Sequence, residues 1–266
     1  MREESALETL AAIAREAGSM QRRSVRAMRP EEIREKGPHD YVTSVDRACE
    51  KAIVKALGEA FPDIPVLAEE GSGTASGKEG AFWCVDPLDG TNNFVHGVPM
   101  FCVSIGLVED GAPRLGVVYD PMHDELFQGG SRSPALLNGK EIHVSGARHV
   151  EGSFLATGIP YRKNLEVFDA YLEGFRTIVP LSGGIRRCGS AALDLCNTAA
   201  GRFDAFWEYS LSPWDVAAGT AIVRAAGGRV CDFRGGSDFL FTGTIVAGAT
   251  NLICEELRAI VLGEER

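Results

Sequence analysis

Apolar residues near the start of the chain recur at helical spacing. Leu7, Leu10, Ala11, Ala14, Ala17 and Met20 share one face, which predicts a helix over 5–29 closed by Pro30. A second helix is predicted from Thr43-Ser44 onward, with Asp46 as the acid of a capping box and Ile53, Val54 and Leu57 on its apolar side. The pattern then changes. Short apolar runs at 64–68, 82–85, 101–108 and 115–119, separated by Gly, Pro and Asp, predict strands. Further on, helical patterns at 165–178, 190–200, 214–226 and 251–262 interleave with strand-like runs at 153–156, 203–207 and 244–248. The strand runs cluster between 82 and 127 rather than alternating regularly with helices, so a layered α+β fold is expected and not a doubly wound sheet. Residues 71–80 form the one low-complexity patch and have the composition of a mobile loop.

Composition narrows the class. In 266 residues, 45% are hydrophobic and 24% charged, which excludes a disordered, collagen-like or disulfide-scaffold chain. The net charge of −10 argues against direct nucleic-acid or anionic-membrane binding, and it leaves room for carboxylates gathered around cations. Seven scattered cysteines with no C-x-x-C spacing read as reduced core thiols. The start, Met1-Arg-Glu-Glu, has no apolar signal region, and the longest uncharged stretch carries Asn92, Asn93, His96, Gly97 and Pro99. A cytoplasmic protein without a membrane span is expected.

Several familiar chemistries are missing. Gly71-Ser-Gly-Thr-Ala-Ser-Gly-Lys fails as a Walker loop, because Glu79 stands where Ser or Thr is needed. No G-x-S-x-G elbow and no H-E-x-x-H helix occurs, and the five histidines share no ligand spacing.

The strongest local signal is Asp86-Pro87-Leu88-Asp89-Gly90-Thr91-Asn92. An apolar strand is expected to end at Asp86, turn through Pro87 and present Asp89, while Gly90-Thr91-Asn92 opens a short helix whose free N–H groups favour an anion. Paired carboxylates beside such a helix start suit a hard divalent cation sharing its shell with phosphate. An ordinary Asp-Pro turn with Thr91 as a helix cap fits the same residues. Glu69-Glu70 follows the preceding strand, and Ser212-Pro213-Trp214-Asp215 reads as a helix start with Asp215 at its third position, where a plain capping acid is the alternative.

Taken together, Val42-Thr43-Ser44-Val45-Asp46, Ala68-Glu69-Glu70, Val85-Asp86-Pro87-Leu88-Asp89-Gly90-Thr91, Arg187-Cys188-Gly189-Ser190-Ala191-Ala192 and Trp214-Asp215-Val216-Ala217-Ala218-Gly219 resemble the inositol monophosphatase family. The resemblance implies a layered α/β/α/β/α sandwich of the sugar-phosphatase type, in two halves (1–145 and 146–266) that make one unit, paired as a homodimer. It implies a Mg²⁺-dependent, Li⁺-sensitive hydrolase of a small phosphorylated polyol or sugar, first of all myo-inositol monophosphate. Glu69, Asp86 and the Leu88 carbonyl would hold one Mg²⁺, Asp86, Asp89 and Asp215 a second, with a third, weaker ion near Glu69. Asp46 and Thr91 match the pair that orients the attacking water, with Glu69 counted among the catalytic acids. The Gly90 and Thr91 amides would cradle phosphate, Gly189, Ser190 and Ala191 match the substrate-hydroxyl region, and Glu208 matches the polyol acceptor. Lys36 stands where a basic residue near the phosphate is expected; a solvated surface lysine is the alternative. Fructose 1,6-bisphosphate, histidinol phosphate and phosphoadenosine phosphate are competing substrates within the family. A regulatory interaction protein acting through RNA polymerase is the alternative from another class, and the intact set of acids speaks against it.

Overall fold

The computed structural model describes residues 2–25, 33–37, 40–74, 79–160 and 165–264, with side chains throughout except at 35–37, 40, 41 and 165. Helix α1 (Glu3–Ser24) buries Leu7, Leu10, Ala14 and Ala17, and sets Glu3 and Glu4 at its start and Arg22 and Arg23 at its end, as the helix dipole favours. It stops before residue 29, because its buried stripe ends at Gln21 and Val25 is already extended (ψ 133°). Pro30, His39, the Lys36 side chain and positions 75–78 of the glycine-rich patch lie outside the described residues.

A hairpin of β1 (Ile33–Gly37) and β2 (Asp40–Thr43) leads into α2 (Ser44–Ala60), capped by Thr43 with Asp46 as expected. Next come β3 (Val66–Ala68), β4 (Ala81–Asp89), the one-and-a-half-turn α3 (Thr91–His96), and β5 (Cys102–Glu109). A meander follows: β6 (Ala112–Asp120), β7 (Glu125–Gly130), β8 (Ser133–Leu137) and β9 (Lys140–Glu141). Strands β3 to β9 form one seven-stranded sheet in sequence order, with β3 parallel to β4 and the remaining neighbours antiparallel.

The rest of the chain supplies β10 (Phe154–Thr157), α4 (Phe168–Ile178), β11 (Gly184–Arg186), α5 (Ala191–Ala199), β12 (Ala205–Tyr209), α6 (Pro213–Ala225), β13 (Arg229–Cys231), α7 (Phe239–Thr242), β14 (Thr244–Gly248) and α8 (Asn251–Leu262). Its five strands lie in the order β11-β10-β12-β14-β13. Helices α1 and α2 cover one face of the large sheet, α5 and α6 fill the space between the sheets, and α4 and α8 cover the far face of the small sheet. Three apolar cores lie between these five layers, around Trp83 and Ile105, around Phe206 and Ile222, and around Trp207 and Leu257. The architecture is therefore the α/β/α/β/α sandwich. Helix α6 presses its backbone onto the large sheet at Gly106 and Gly116, where an added Cβ would lie 2.8 Å from the Ala218 nitrogen and 2.1 Å from its carbonyl oxygen. No side chain fits at either position.

One local expectation is corrected. The chain does not turn at Pro87; β4 continues to Asp89, with one extra residue between the pairs Asp86–Ser104 and Asp89–Cys102. Pro87 has no N–H for the ladder, so the strand bulges there instead of ending. The bulge is held from both sides: Asp86 Oδ1 accepts from the Leu88 amide (2.9 Å), and buried Gln21 donates through Nε2 to the Pro87 carbonyl (2.7 Å).

Candidate active site

Asp86, Asp89 and Asp215 meet at the joint between the two sheets, each offering an oxygen within 4.8 Å of the others. They line a cleft of ≈ 360 Å³ together with Glu69, Leu88, Gly90, Thr91, Arg187, Gly189, Ala191 and Glu208. Residues from 69 to 91 and from 187 to 215 thus share one wall-to-wall site.

The three aspartates are anchored in the same way. Each spends one carboxylate oxygen on the chain: Asp86 on the Leu88 amide, Asp89 on the Ser190 hydroxyl (2.6 Å) and the Ala192 amide (2.8 Å), Asp215 on the Ser212 amide (2.7 Å). Asp215 is thus a capping acid and a cleft acid at once. The carboxylates of Asp89, from the end of β4, and of Asp215 reach the starts of α5 and α6, where the first amides and the dipole favour negative charge by roughly 0.3–1 kcal/mol each.

Even so, the cluster is electrostatically crowded. Burial, then the charges of Glu69, Asp89 and Asp215, push the Asp86 carboxyl well above the usual carboxylate range. Burial, then Asp89 and Glu69, do the same to Asp215. Burial lifts Asp89 to about 6, although Ser190, Ala192 and the Arg187 charge pull it back. An all-oxygen donor set that resists ionising alone is suited to a hard divalent cation, whose charge reverses that penalty.

Asp46 stands behind Thr91 rather than on the cleft wall. Its Oδ2 accepts the Thr43 amide (2.9 Å) and hydroxyl, and its Oδ1 accepts the Thr91 hydroxyl (3.0 Å). Thr91 Oγ1 also lies 3.1 Å from the Leu88 carbonyl, so its single proton has two acceptors. Gly90 takes a left-handed backbone (φ 95°) where a Cβ would meet the Met100 carbonyl at 2.8 Å, and this lets the chain pass from bulge to helix directly under the cleft.

Ser190 is placed differently from its neighbours. It is fully buried and its hydroxyl serves Asp89, whereas Gly189 and Ala191 reach the cleft. Asn93 ties the two walls together, donating from Nδ2 to the carbonyls of Met100 (2.7 Å) and Cys188 (2.8 Å).

Three contributors carried no signal in isolation. Arg187 is a cation on the cleft wall, Gln21 grips the bulge from α1, and Glu50 is a wholly buried acid on α2. Glu50 was detectable in principle, since it falls four residues after Asp46 on the helix face that also carries Cys49 and Ile53.

An acid-lined cleft between the two sheets of this sandwich defines the class. The chain belongs to the inositol monophosphatase family, whose model matches residues 2–262. It is 48% identical over 240 residues to the Nus factor SuhB of Pseudomonas aeruginosa, covering 89% of each chain. Among solved structures, it matches the extragenic suppressor protein suhB from Bartonella henselae at a TM-score of 0.89 and 39% identity, covering 97% of this chain and 98% of that one. The inositol monophosphatase from Anabaena (Nostoc) matches at a TM-score of 0.85 and 34% identity, over 98% of this chain and 97% of that one. Among the described residues, no helix is long and apolar enough to cross a membrane. All seven cysteines are free thiols.

Proposed function

We propose that this chain is a Mg²⁺-dependent phosphomonoesterase that releases phosphate from myo-inositol monophosphate. The observation that carries the reading is the trio Asp86, Asp89 and Asp215, each offering an oxygen within 4.8 Å of the others in a cleft that Glu208 also lines. Asp86, Glu69 and the Leu88 carbonyl would hold one ion, and Asp86, Asp89 and Asp215 another, with a weaker third near Glu69. Bound there, the ions supply a lowered pKa for water and charge stabilisation for the leaving alkoxide. Thr91 orients the attacking water with its lone pairs while its proton rests on Asp46. The Gly90 and Thr91 amides hold the phosphate oxygens, Gly189 and Ala191 border the ring, and Glu208 accepts a hydroxyl hydrogen bond. A homodimer, Li⁺ inhibition and a reducing, cytoplasmic setting belong to the same proposal.

The test is phosphate release with Mg²⁺ across inositol phosphates, fructose 1,6-bisphosphate, histidinol phosphate and phosphoadenosine phosphate, with Asp86→Asn alongside. Wild type should favour the inositol ester, and the folded variant should lose at least about a thousandfold, as when a principal electrostatic element is deleted. Residual activity within tenfold of wild type would sink the assignment. A second reading has one observation behind it: the Pseudomonas aeruginosa relative is called a Nus factor. If no ester is turned over, a regulatory protein acting through RNA polymerase replaces the enzyme.

A further inference from the structure

Glu50 is wholly buried, and its carboxylate is committed to the backbone of the turn that follows β3. Its Oε2 accepts from the Glu70 amide (2.6 Å), and its Oε1 accepts from the Ser72 amide (2.8 Å). Gly71, between those two amides, is left-handed (φ 88°), which lets the two N–H groups face the same carboxylate, one to each oxygen, as in an anion-binding nest. Here the anion comes from the protein's own α2. The neighbouring residue is pinned as well: the Glu69 amide donates to the Val85 carbonyl (3.2 Å), next to Asp86. Two successive amides are thereby fixed, one to the strand that carries Asp86 and one to Glu50. Together they set the direction in which Glu69 leaves the backbone.

A buried acid in an already acidic neighbourhood is costly unless its charge does something. Glutamine would fill the same space, but its amide group would set N–H against N–H at one of the two donors. Glu50 also lies one helical turn from Asp46, so a single helix face reaches Thr91 with one acid and the Glu69 turn with the next.

We infer that Glu50 is a positioning residue: it holds the Glu69–Ser72 turn in place and so presets Glu69 toward the cation cleft before any ligand arrives. This rests on the reading of Glu69 as a metal ligand. Substitution of such outer partners costs about 10- to 100-fold in metal affinity where they orient a ligand.

The experiment compares wild type, Glu50→Gln and Glu50→Asp by Mn²⁺ titration calorimetry and by amide hydrogen exchange, without substrate. Wild type should bind Mn²⁺ and protect the Glu70 and Ser72 amides. Glu50→Gln should weaken Mn²⁺ binding at least about tenfold and deprotect both amides. Glu50→Asp keeps the charge but is one methylene shorter, and it should fall between. Unchanged Mn²⁺ affinity in Glu50→Gln overturns the inference, whether or not the amides open, since deprotection alone is a merely structural effect. Fast exchange of Glu70 and Ser72 in wild type overturns it even if the variants do not fold. Wild type that binds no Mn²⁺ overturns the underlying metal reading instead, and the inference with it.

Discussion

Replacing Asp89 with asparagine should stabilise the metal-free protein at neutral pH while removing its activity. Burial raises the Asp89 carboxyl from 3.8 to about 6, outweighing the Ser190 and Ala192 hydrogen bonds and the Arg187 charge. A folded-state value above the unfolded one means that the native state holds the proton more tightly. The resulting penalty is absent below about 3.8, grows between 3.8 and about 6, and is complete above that. At about 1.4 kcal/mol per pH unit, the gap amounts to roughly 3 kcal/mol. Asparagine keeps the shape and an oxygen for Ser190 and Ala192 but carries no charge. Urea unfolding in EDTA is the assay. The variant should exceed wild type by up to about 3 kcal/mol at pH 7.5 and match it within about 1 kcal/mol at pH 4. For a chain of this size, that difference is about 6–12 °C in melting temperature. Added Mg²⁺ should raise wild type more than the variant, which keeps only the Glu69, Asp86 and Leu88 set intact, because a ligand stabilises only the state that binds it. Parallel pH–stability curves for the two proteins in EDTA would refute the electrostatic account.

Thr91→Ala should lower kcat far more than it raises KM at saturating Mg²⁺ if its proposed grip on the attacking water acts mainly in the transition state; a pure KM effect would reduce Thr91 to a helix and phosphate residue. Glu208→Gln should cost about 10- to 150-fold in kcat/KM on inositol 1-phosphate, from a charged hydrogen bond of roughly 1.5–3 kcal/mol. p-Nitrophenyl phosphate, which has no polyol, should barely respond, and equal losses on both esters would show a metal or folding role. Gly116→Ala should lower stability in urea unfolding by about 1–3 kcal/mol or more, because its Cβ would meet the Ala218 backbone; an unchanged midpoint would contradict the close approach of α6.

The long elements were readable from periodicity because each packs one face and carries its own caps. Helix α8 (Asn251–Leu262) and strand β14 (Thr244–Gly248) fall where the pattern placed them, and α6 begins at the Pro213 that follows its Ser212 cap. The two- and three-residue strands β9, β11 and β13 carry too little pattern to be told from loops, whereas three-residue β3 lies within the apolar run at 64–68, and β7 ends in Gly129-Gly130. Strand β12 begins at Ala205 rather than at Phe203, whose amide instead closes the turn from Asn197. At the site, Asp86, Asp89 and Asp215 stood out because D-P-x-D-G-T and the Ser-Pro-Trp-Asp helix start are local signals. Gln21 and Glu50 did not, because what they hold lies 66 and 20 residues away in the chain. The Pro87 bulge was read as a turn because proline marks both equally well.

The glycine trough on β5 and β6 bears on how the chain is made. Synthesis runs from the N-terminus, and the large sheet is complete once Glu141 has emerged. The helix that seals its inner face, α6, ends at Ala225, some eighty residues later. Throughout that interval Gly106, Gly116 and the apolar residues around them have no cover, and Asp86 and Asp89 wait for Asp215. A nascent chain paused between those points presents an uncovered apolar sheet face to its surroundings. Slow codons or chaperone capture in that window should therefore govern the yield of active protein more than any event before it.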